Sequence, residues 1–370
     1  MVTGESKLWV GIKDLPTEVQ LEMANTTNII TITQIPNNQY GYRVQLLDTD
    51  GSPLKDVVIK GIDDPNTEIR TNAEGIVQFY SGKSSFTGLT YSGLPTHLDA
   101  SMFPKAMQGY INDTSVVIVN PDTSGYYGYD ITVTDNNGSI LANHPVYTIT
   151  NNDLTTIGNT DSSGHLIMYR QTSNYTVIAK QDDRYGKINA SGSIGSLKAI
   201  SLKTDSLPYT GTMSVGNTIT AMGRTWIVCH REGNKYYLAL NVIASETNFA
   251  GDESTVYKNS TLHSTAIAYR NTLKNSYADI MSLYASDVTV NGVTDKVFVA
   301  SYEQMNGGFS YFNRDSRRIC NYNGSSTEYW TSSLYTGSRV WYVDTDGSLD
   351  NFYGAPGDSH GFRPFVCLSL

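Results

Sequence analysis

The residues best suited to recognising another molecule lie near the end of the chain, between positions 321 and 360. This stretch is rich in Asn, Tyr, Ser, Asp and Gly, in segments such as Tyr335-Thr336-Gly337-Ser338-Arg339. Tyr supplies a rigid ring with a polar end and the small polar residues supply adaptable hydrogen bonds, a combination that antibody paratopes also use. The chemistry predicted here is non-covalent binding, and the alternative is a solvated loop surface without a ligand.

Catalysis and metal binding are not predicted. No HxxxH or HxH spacing relates the histidines, and no GxSxG, P-loop or paired-carboxylate motif occurs. The three cysteines, Cys229, Cys320 and Cys367, are odd in number and far apart, so they encode neither a disulfide framework nor a CxxC site. Buried thiols are the simplest interpretation. We expect no enzyme, no cofactor and no metal.

Composition favours β structure and excludes some partners. Charged residues make up 16% of the 370 residues, against about 25% in an ordinary soluble domain. Tyr (26) outnumbers Phe (10) and there are 32 glycines, which favours turn-rich strands over helical bundles. A net charge of −9 argues against a nucleic-acid partner, whose phosphates would require a basic surface.

The start of the chain lacks the pattern of a secretory signal peptide, and no apolar stretch reaches the roughly 20 residues of a membrane helix. We expect no membrane insertion. A composition of extracellular type without an export signal suggests a virion component that is released by lysis.

An internal repeat divides the first half of the chain. Residues 40–46 (YGYRVQL), followed by an Asp-x-x-Gly turn, recur as residues 127–133 (YGYDITV), a shift of 87 positions from 40 to 127. Residues 71–75 (TNAEG) match 160–164 (TDSSG) with a shift of 89 from 75 to 164. We expect two tandem modules, 31–120 and 121–204, after an N-terminal attachment segment at about 1–30.

Each module has a β pattern. Tyr42, Val44 and Leu46 alternate with polar neighbours, which is the period of a half-buried strand. The segment from Gly51 to Ile59 (GSPLKDVVI), followed by residues 71–79, resembles bacterial and phage immunoglobulin-like or carboxypeptidase-regulatory-like modules. The resemblance implies two all-β Ig-like sandwiches, which serve more often as spacers than as binding sites.

Residues 196–212 carry Ser, Thr, Pro and Gly without a clear period, so we expect a linker there before a third domain at 205–370. That domain opens with two apolar segments, 223–229 and 236–240, which predict a hairpin. Residues 265–285 predict a helix, and Ser301-x-x-Gln304 is a capping-box pattern. The third domain is therefore expected to be α+β.

Four motifs of this third domain occur in a characteristic order: GRTWIV at 223–228, DKVFVAS at 295–301, YWTSS at 329–333 and GFRPFV at 361–366. Together they resemble the C-type-lectin-fold family of unknown function that forms the C-terminal domain of phage tail proteins, bacterial surface proteins and the variable proteins of diversity-generating retroelements. The resemblance covers roughly 215–370.

Large rings in the short strands of these motifs are expected to build the core of a loop-rich domain. A buried Arg363 would need a carboxylate or carbonyl partner, so we assign it a structural role. The predicted framework is Trp226, Trp330, Trp341, Arg363 and Phe365. In this family the first and last strands pair, which would bring the strands of Cys229 and Cys367 together.

Two known activities of the fold are not expected. Calcium-dependent lectins use an acidic–Pro–Asn loop and a Trp-Asn-Asp strand, and neither tripeptide occurs in the third domain. Sulfatase-modifying enzymes of this fold hold copper with a close cysteine pair, for which only Cys320 and Cys367 would be available.

In the family members that retroelements diversify, the variable positions carry the same residue types as positions 321–360 of this chain. They lie on one exposed face, between fixed core residues. The resemblance therefore implies a binding face. Its predicted residues are Tyr322, Asn323, Tyr335, Ser338, Tyr342, Asp344, Asp346, Asn351, Tyr353 and His360.

Spacer modules that carry a binding tip predict a receptor-binding protein of a phage tail or baseplate, located in the virion. We expect a saccharide or protein of the host bacterial surface as receptor, another tail or baseplate protein as partner of the N-terminal region, and a homotrimer. The alternatives are a bacterial cell-surface adhesin and a structural virion decoration protein with an inert tip.

Overall fold

The computed structural model of the chain describes residues 40–47, 51–60, 68–81, 86–91, 94–98, 115–118, 123, 125–249, 256–336, 339–353 and 358–370. The chain divides into two units, Met1–Asp122 and Thr123–Leu370. The attachment segment expected at residues 1–30 lies outside the described residues. Strands dominate the described chain, and its α-helices lie in the C-terminal domain.

The first β module forms two sheets. Its strands are β1 Tyr40–Leu47, β2 Val58–Lys60, β3 Glu68–Arg70, β4 Ile76–Ser81, β5 Phe86–Tyr91, β6 Leu94–Leu98 and β7 Ser115–Ile118. One sheet has the order β4-β1-β7 and the other the order β3-β2-β5-β6. The last strand, β7, runs parallel to β1.

The second β module repeats this topology: β8–β13 correspond to β1–β6, β15 corresponds to β7, and β14 is an additional short strand. Its strands are β8 Tyr127–Thr134, β9 Pro145–Thr150, β10 Asp153–Asn159, β11 His165–Arg170, β12 Asn174–Gln181, β13 Arg184–Ser191, β14 Ser193–Ile194 and β15 Leu197–Lys203. The order β10-β9-β12-β13 matches β3-β2-β5-β6, and β8 pairs with β11 and, in parallel, with β15. The sequence repeat thus corresponds to a repeated fold.

A threonine makes the same two hydrogen bonds in both modules. In the first module Thr71 Oγ1 donates to Leu54 O at 2.5 Å and accepts from Val57 N at 2.9 Å. In the second, Thr160 Oγ1 makes both bonds, at 2.6 and 2.8 Å, to the equivalent main-chain groups. Both threonines are buried, so each hydroxyl ties two loops of its module together where water cannot replace it.

The core of the second module lies between its two sheets, as period-2 strands require. Apolar side chains of both sheets meet in one cluster. Its buried members are Tyr129, Ile131, Val133, Val146, Met168, Val177, Ala179, Ala190, Ile200 and Leu202.

The stretch expected as a linker, residues 196–212, is largely strand. Leu197–Lys203 is β15 of the second module, and Tyr209–Gly211 begins the first sheet of the C-terminal domain. The strand signal of β15 is short, because only Ile200 and Leu202 are buried and its other positions are exposed; main-chain pairing to β8 holds the rest of the strand.

The C-terminal domain combines short helices with many short strands. The strands are β16 Tyr209–Gly211, β17 Thr218–Ala221, β18 Arg224–Glu232, β19 Lys235–Leu240, β20 Ser245–Asn248, β21 Ala285–Ser286, β22 Val288–Val290, β23 Val293–Asp295, β24 Val297–Phe298, β25 Asn321–Tyr322, β26 Ser325–Ser326, β27 Tyr329–Leu334, β28 Arg339–Val343, β29 Leu349–Tyr353, β30 Ser359–Phe362 and β31 Phe365–Ser369. The helices are α1 Thr261–Ser276, α2 Ala278–Leu283 and α3 Asp315–Arg318.

Two sheets organise this domain. The larger has the order β16-β17-β18-β19-β31-β21, and the smaller has the order β20-β30-β27-β28-β29. The predicted hairpin is confirmed as β18 and β19, with Trp226 opposite Leu240. The final strand β31 pairs with β19, so one strand separates the strands that carry Cys229 and Cys367.

The helix predicted over 265–285 is two helices. Helix α1 begins after Ser260, whose side chain accepts a hydrogen bond from His263 N, and it ends at Tyr277, where φ of −138° leaves the helical region. Helix α2 follows at once and ends before β21. No helix among the described residues is both long and apolar enough to span a membrane.

Candidate binding surface

Strand β28 divides its side chains between the core and the exposed face of the five-stranded sheet. Val340 and Tyr342 point into the domain, whereas Arg339 and Trp341 are only half-buried on the other side. The antiparallel register places Asn351 of β29 opposite Trp341. The sheet thus presents a ring, a guanidinium and an amide on one outward surface.

Three aromatic rings meet on this surface, and we call Tyr302, Tyr335 and Trp341 the aromatic platform. The ring of Tyr302 stacks on Trp341 with centroids 4.1 Å apart and planes at 29°. The ring of Tyr335 meets Trp341 edge-on at 5.0 Å. Tyr335 is 47% exposed and the other two rings are half-buried, so the platform is partly open to solvent.

Tyr302 is held in place by the turn that follows it. The predicted capping box is confirmed, because Ser301 N donates to Gln304 Oε1 at 2.8 Å and Gln304 N donates to Ser301 Oγ at 3.2 Å. A kinked turn, Gln304–Gly308, follows, in which Gly307 has a left-handed φ of 97°. Within this turn Asn306 Nδ2 donates to Tyr302 Oη at 3.1 Å.

The hydroxyls of the YWTSS segment support the platform from beneath. Ser333 Oγ accepts from Tyr302 N at 3.0 Å, and Thr331 Oγ1 donates to Trp341 O at 2.7 Å. Asn291, at the tip of the β22–β23 hairpin, donates to both Ser332 and Ser333. These three hydroxyl side chains are buried, so their role is to fix the platform and not to meet a ligand.

Polar groups stand beside the rings. Arg339 Nη1 donates to Asn351 Oδ1 at 3.1 Å, which orients the guanidinium along the sheet next to Trp341. Leu334, adjacent to Tyr335 at the end of β27, is also exposed. Trp, Tyr and Arg side chains, the types that contribute most binding energy at interfaces, therefore occupy one patch together with an amide and an aliphatic group.

Two residues predicted for the binding face belong to the core. Tyr342 is only 8% exposed and the His360 side chain 14%, and their rings stack at 5.2 Å with planes at 4°. His360 also packs edge-on against Trp330 at 4.2 Å and pairs with Glu328 through Nδ1 at 2.9 Å. Burial, followed by nearby carboxylates, raises the pKa of Tyr342 to about 12.

The predicted residues Asp344 and Asp346 stabilise the turn between β28 and β29. Asp344 Oδ1 accepts from Thr345 N at 2.5 Å and Asp346 Oδ1 accepts from Ser348 N at 2.8 Å, which lowers the pKa of Asp346. Gly347 has φ of 88°, and a Cβ there would collide with the carbonyl of Asp315. The turn therefore packs closely against α3.

The other predicted residues fall elsewhere. Asn323 lies at the turn of the β25–β26 hairpin with φ of 51°, and Tyr322 packs against the cluster around Phe309 and Phe312. Ser338 lies outside the described residues, and Tyr353 is placed only by its register opposite Arg339. Tyr335 and Asn351 are the predicted residues that the structure places on the platform surface.

The framework prediction requires one correction. Trp226 and Trp330 are buried and donate their ring N–H groups to Ala221 O and Thr247 O, and Phe365 is buried among aromatic rings. Trp341 is not part of the core, because it is only half-buried, beside Arg339 on the outward side of β28. Alternation along β28 does not distinguish Trp341 from Tyr342, and no sequence signal marked Tyr302.

Arg363 is fully buried, with 0% of its surface exposed. Its Nε donates to Leu240 O at 2.9 Å, and its Nη1 donates to Tyr329 Oη at 2.9 Å and to Arg318 O at 3.3 Å. The guanidinium also lies 5.2 Å from the Phe312 ring centroid. Carbonyls, a tyrosine hydroxyl and aromatic rings thus stabilise this cation without a carboxylate. Arg363 lies between β30 and β31, where these last strands meet the sheet that contains β27.

The three cysteines are free and buried. Burial raises the pKa of all three thiols, that of Cys367 to about 11, which keeps them protonated and unreactive at neutral pH. Among the described residues, no group of three or more His, Cys, Asp or Glu side chains is placed to hold a metal ion.

The environment of His360 predicts a loss of stability in mild acid. Burial holds the pKa of His360 below its ordinary 6.5, outweighing Glu328, Asp358 and Asp344, which act to raise it. The folded protein therefore binds this proton less readily than the unfolded chain. The stability that uncharged His360 contributes is fully present above pH 6.5, and it is lost as the pH falls through the pKa of His360 in the folded protein. Urea unfolding at pH 7.5 and at pH 5.5 measures this effect. Between these two values the unfolding free energy of His360→Gln should fall less than that of the wild type.

His165 serves as a control, because its pKa is shifted in the opposite direction to that of His360. Its hydrogen bond to Asp130, at 2.6 Å, raises the pKa of His165, so its contribution is present below pH 6.5 and is lost as the pH rises. His165→Gln should make the loss on acidification larger. Equal pH profiles for the wild type and His360→Gln would contradict the assignment.

Comparison with known proteins identifies a domain family for part of the chain. Residues 254–370 match the family described as a domain of unknown function (DUF6273). The match includes the residues of the aromatic platform and ends with the chain. A comparison with curated proteins found no match.

Similarity to solved structures is low. The TIE protein of Bacillus anthracis aligns with 14% identity over 45% of this chain and 34% of that one, with a TM-score of 0.16. This chain therefore spans about a third of that protein. A double mutant of the shaft pilin SpaA from Lactobacillus rhamnosus GG aligns with 12% identity over 46% of this chain and 99% of the pilin, with a TM-score of 0.21. The minor pilin GBS52 of Streptococcus agalactiae gives 12% identity, 46% and 99% coverage, and a TM-score of 0.15.

Proposed function

We propose that the chain is a receptor-binding protein of a phage tail or baseplate, whose C-terminal domain binds a host bacterial surface saccharide or protein without catalysis. The observation that carries the proposal is the aromatic platform with Arg339 and Asn351 beside it. Solvent-exposed rings that are held by buried hydroxyls form a rigid surface, which loses little conformational entropy when a ligand binds. Large exposed apolar patches on soluble proteins commonly mark such contacts.

The remaining parts of the proposal follow from the layout. The two β modules are Ig-like spacers, and the C-terminal domain has a C-type-lectin fold whose sheet β20-β30-β27-β28-β29 presents the platform. The N-terminal region attaches to another tail component, and the protein is a homotrimer in the virion. Several linked tips convert later contacts into intramolecular ones, so a weak single site can give strong attachment. A monomeric mass in light scattering would contradict the trimer for the free protein.

The experiment is binding of the fluorescent full chain to a panel of intact bacterial strains, alone and displayed on multivalent beads. We expect strain-selective binding that is unchanged by a chelator, because the described residues contain no cluster of side chains that could hold a metal ion. Trp341→Ala should abolish it, and Lys198→Met, an exposed change on β15 in the second module, should not. Absence of binding to every strain, even from beads, would contradict the proposal in favour of a structural role.

A further inference from the structure

The second β module and the C-terminal domain touch through ionic, main-chain and aromatic contacts. We call it the joint; its central residues are Lys180, Tyr185 and Lys187 of the module, and Asp279, Leu283 and Tyr284 of the domain. All of them lie within the single unit Thr123–Leu370. Domains that follow one another in a chain usually move relative to each other unless the interface is large and well packed.

An ion pair with a buried carboxylate joins the two sides. Lys187 Nζ lies 2.8 Å from Asp279 Oδ2; the Asp279 side chain is only 6% exposed, whereas that of Lys187 is 44% exposed. A carboxylate at this depth needs a partner, since an unpaired buried charge is strongly unfavourable. Asp279 is on helix α2 of the C-terminal domain, so the domain depends on a lysine that another module supplies.

A second lysine caps the end of the same helix. Lys180 Nζ donates to Leu283 O at 2.9 Å and lies 4.1 Å from the centroid of the Tyr284 ring. A cation is favourable both at a helix C-terminus and over an aromatic face. Burial lowers the pKa of Lys180, which agrees with its position inside the contact.

Apolar and main-chain contacts complete the joint. The ring of Tyr185 meets Tyr284 edge-on at 6.2 Å and packs against the core of the C-terminal domain. Tyr185 and Ser206 exchange two main-chain hydrogen bonds, at 2.9 and 3.0 Å, so the connecting segment is fixed to the module that it leaves. Lys274 and Asp153 add an exposed ion pair, which contributes little.

We propose that the second β module and the C-terminal domain fold and move as one rigid body, locked at the joint by Lys180 and Lys187. The module is then a structural part of the tip and not a free spacer, and the platform has one fixed orientation relative to it. Rigid presentation lowers the entropy cost of engaging a surface through several copies. The inference stands on the joint alone and does not require the proposed binding function.

Coupled folding is tested in the full chain by destabilising the module far from the joint. Ile131 lies on β8, in the module's other sheet, and is fully buried. Ile131→Val should raise the opening equilibrium constant of β12 amides about two- to tenfold in hydrogen exchange. If the two parts form one body, the amides of β19 in the C-terminal domain should open more often by the same factor. Val133→Ala gives a larger perturbation of the same kind.

The lysines are tested by repeating this comparison in a Lys180→Met/Lys187→Met background. We expect the response of β19 to Ile131→Val to disappear there, while Lys198→Met, a control away from the joint, leaves it intact. A β12 response with no β19 response in the otherwise unchanged chain would overturn the rigid body. Coupling that persists in the double variant would overturn the role of the lysines.

Discussion

Replacing Arg363 by alanine is expected to destabilise the C-terminal domain by about 3–5 kcal/mol, a large part of the total stability of a domain. The change removes the donors that serve Leu240 O and Tyr329 Oη and opens a cavity beside the Phe312 ring. Buried acceptors left without a donor cost about 1–3 kcal/mol each, which adds to the lost packing. Urea unfolding followed by Trp fluorescence measures the effect, since Trp226 and Trp330 lie in the cores of this domain.

Two variants separate the role of Arg363 from its charge. Arg363→Lys keeps the cation but loses the planar fork that reaches two strands, so it should recover only part of the stability. Arg314→Ala, at an exposed position before α3, should change the unfolding free energy by no more than about 0.5 kcal/mol. Full stability of Arg363→Lys would show that the hydrogen-bond geometry is unimportant.

Removing the Trp341 ring should weaken attachment to a susceptible strain by at least about 30-fold, the loss expected at a central interface aromatic. The ring contacts both Tyr302 and Tyr335, so Trp341→Ala disrupts the whole platform. Tyr335→Ala should show a smaller loss in the same direction, because Tyr335 is the most exposed ring of the three. Both variants should keep the unfolding midpoint of the wild type to within a few degrees, since neither ring is in the core.

Asn323→Gly is the matched control for this prediction. The left-handed backbone at Asn323 suits glycine, so the hairpin is retained while a side chain predicted for the binding face is lost. We expect attachment to be unchanged. Loss of attachment in Asn323→Gly together with normal attachment of Trp341→Ala would move the binding surface to the β25–β26 hairpin.

The local features of the fold could be predicted because neighbouring residues determine them. The β18–β19 hairpin and the Ser301–Gln304 capping box arise from interactions within a short stretch of chain, and the module repeat is visible as similarity between two segments of the sequence. The break of the predicted helix at Tyr277 could not be predicted, since no Gly or Pro marks it. Strand β15 was not predicted for a related reason: its apolar pattern is limited to Ile200 and Leu202, and pairing with the distant β8 supplies the rest of its stabilisation.

The candidate surface was predicted in composition but not in arrangement. In Arg339–Val343 (RVWYV) apolar residues occupy both phases of the strand, so alternation alone does not show whether Trp341 or Tyr342 faces the core. The predicted face therefore included the buried Tyr342 and His360 and omitted Trp341. Tyr302 lies 37 residues before the start of β28 and joins the platform through contacts that only the folded chain reveals.

The central claim is that the aromatic platform touches the host surface, and photo-crosslinking tests it most directly. A photoreactive phenylalanine analogue would replace Tyr335 in one full-length protein and Tyr322 in another, and each would be irradiated on a strain that binds the wild type. We predict a covalent adduct with a cell-surface component from position 335 and none from position 322. Normal attachment with no adduct at 335, or an adduct at 322 alone, would contradict the account.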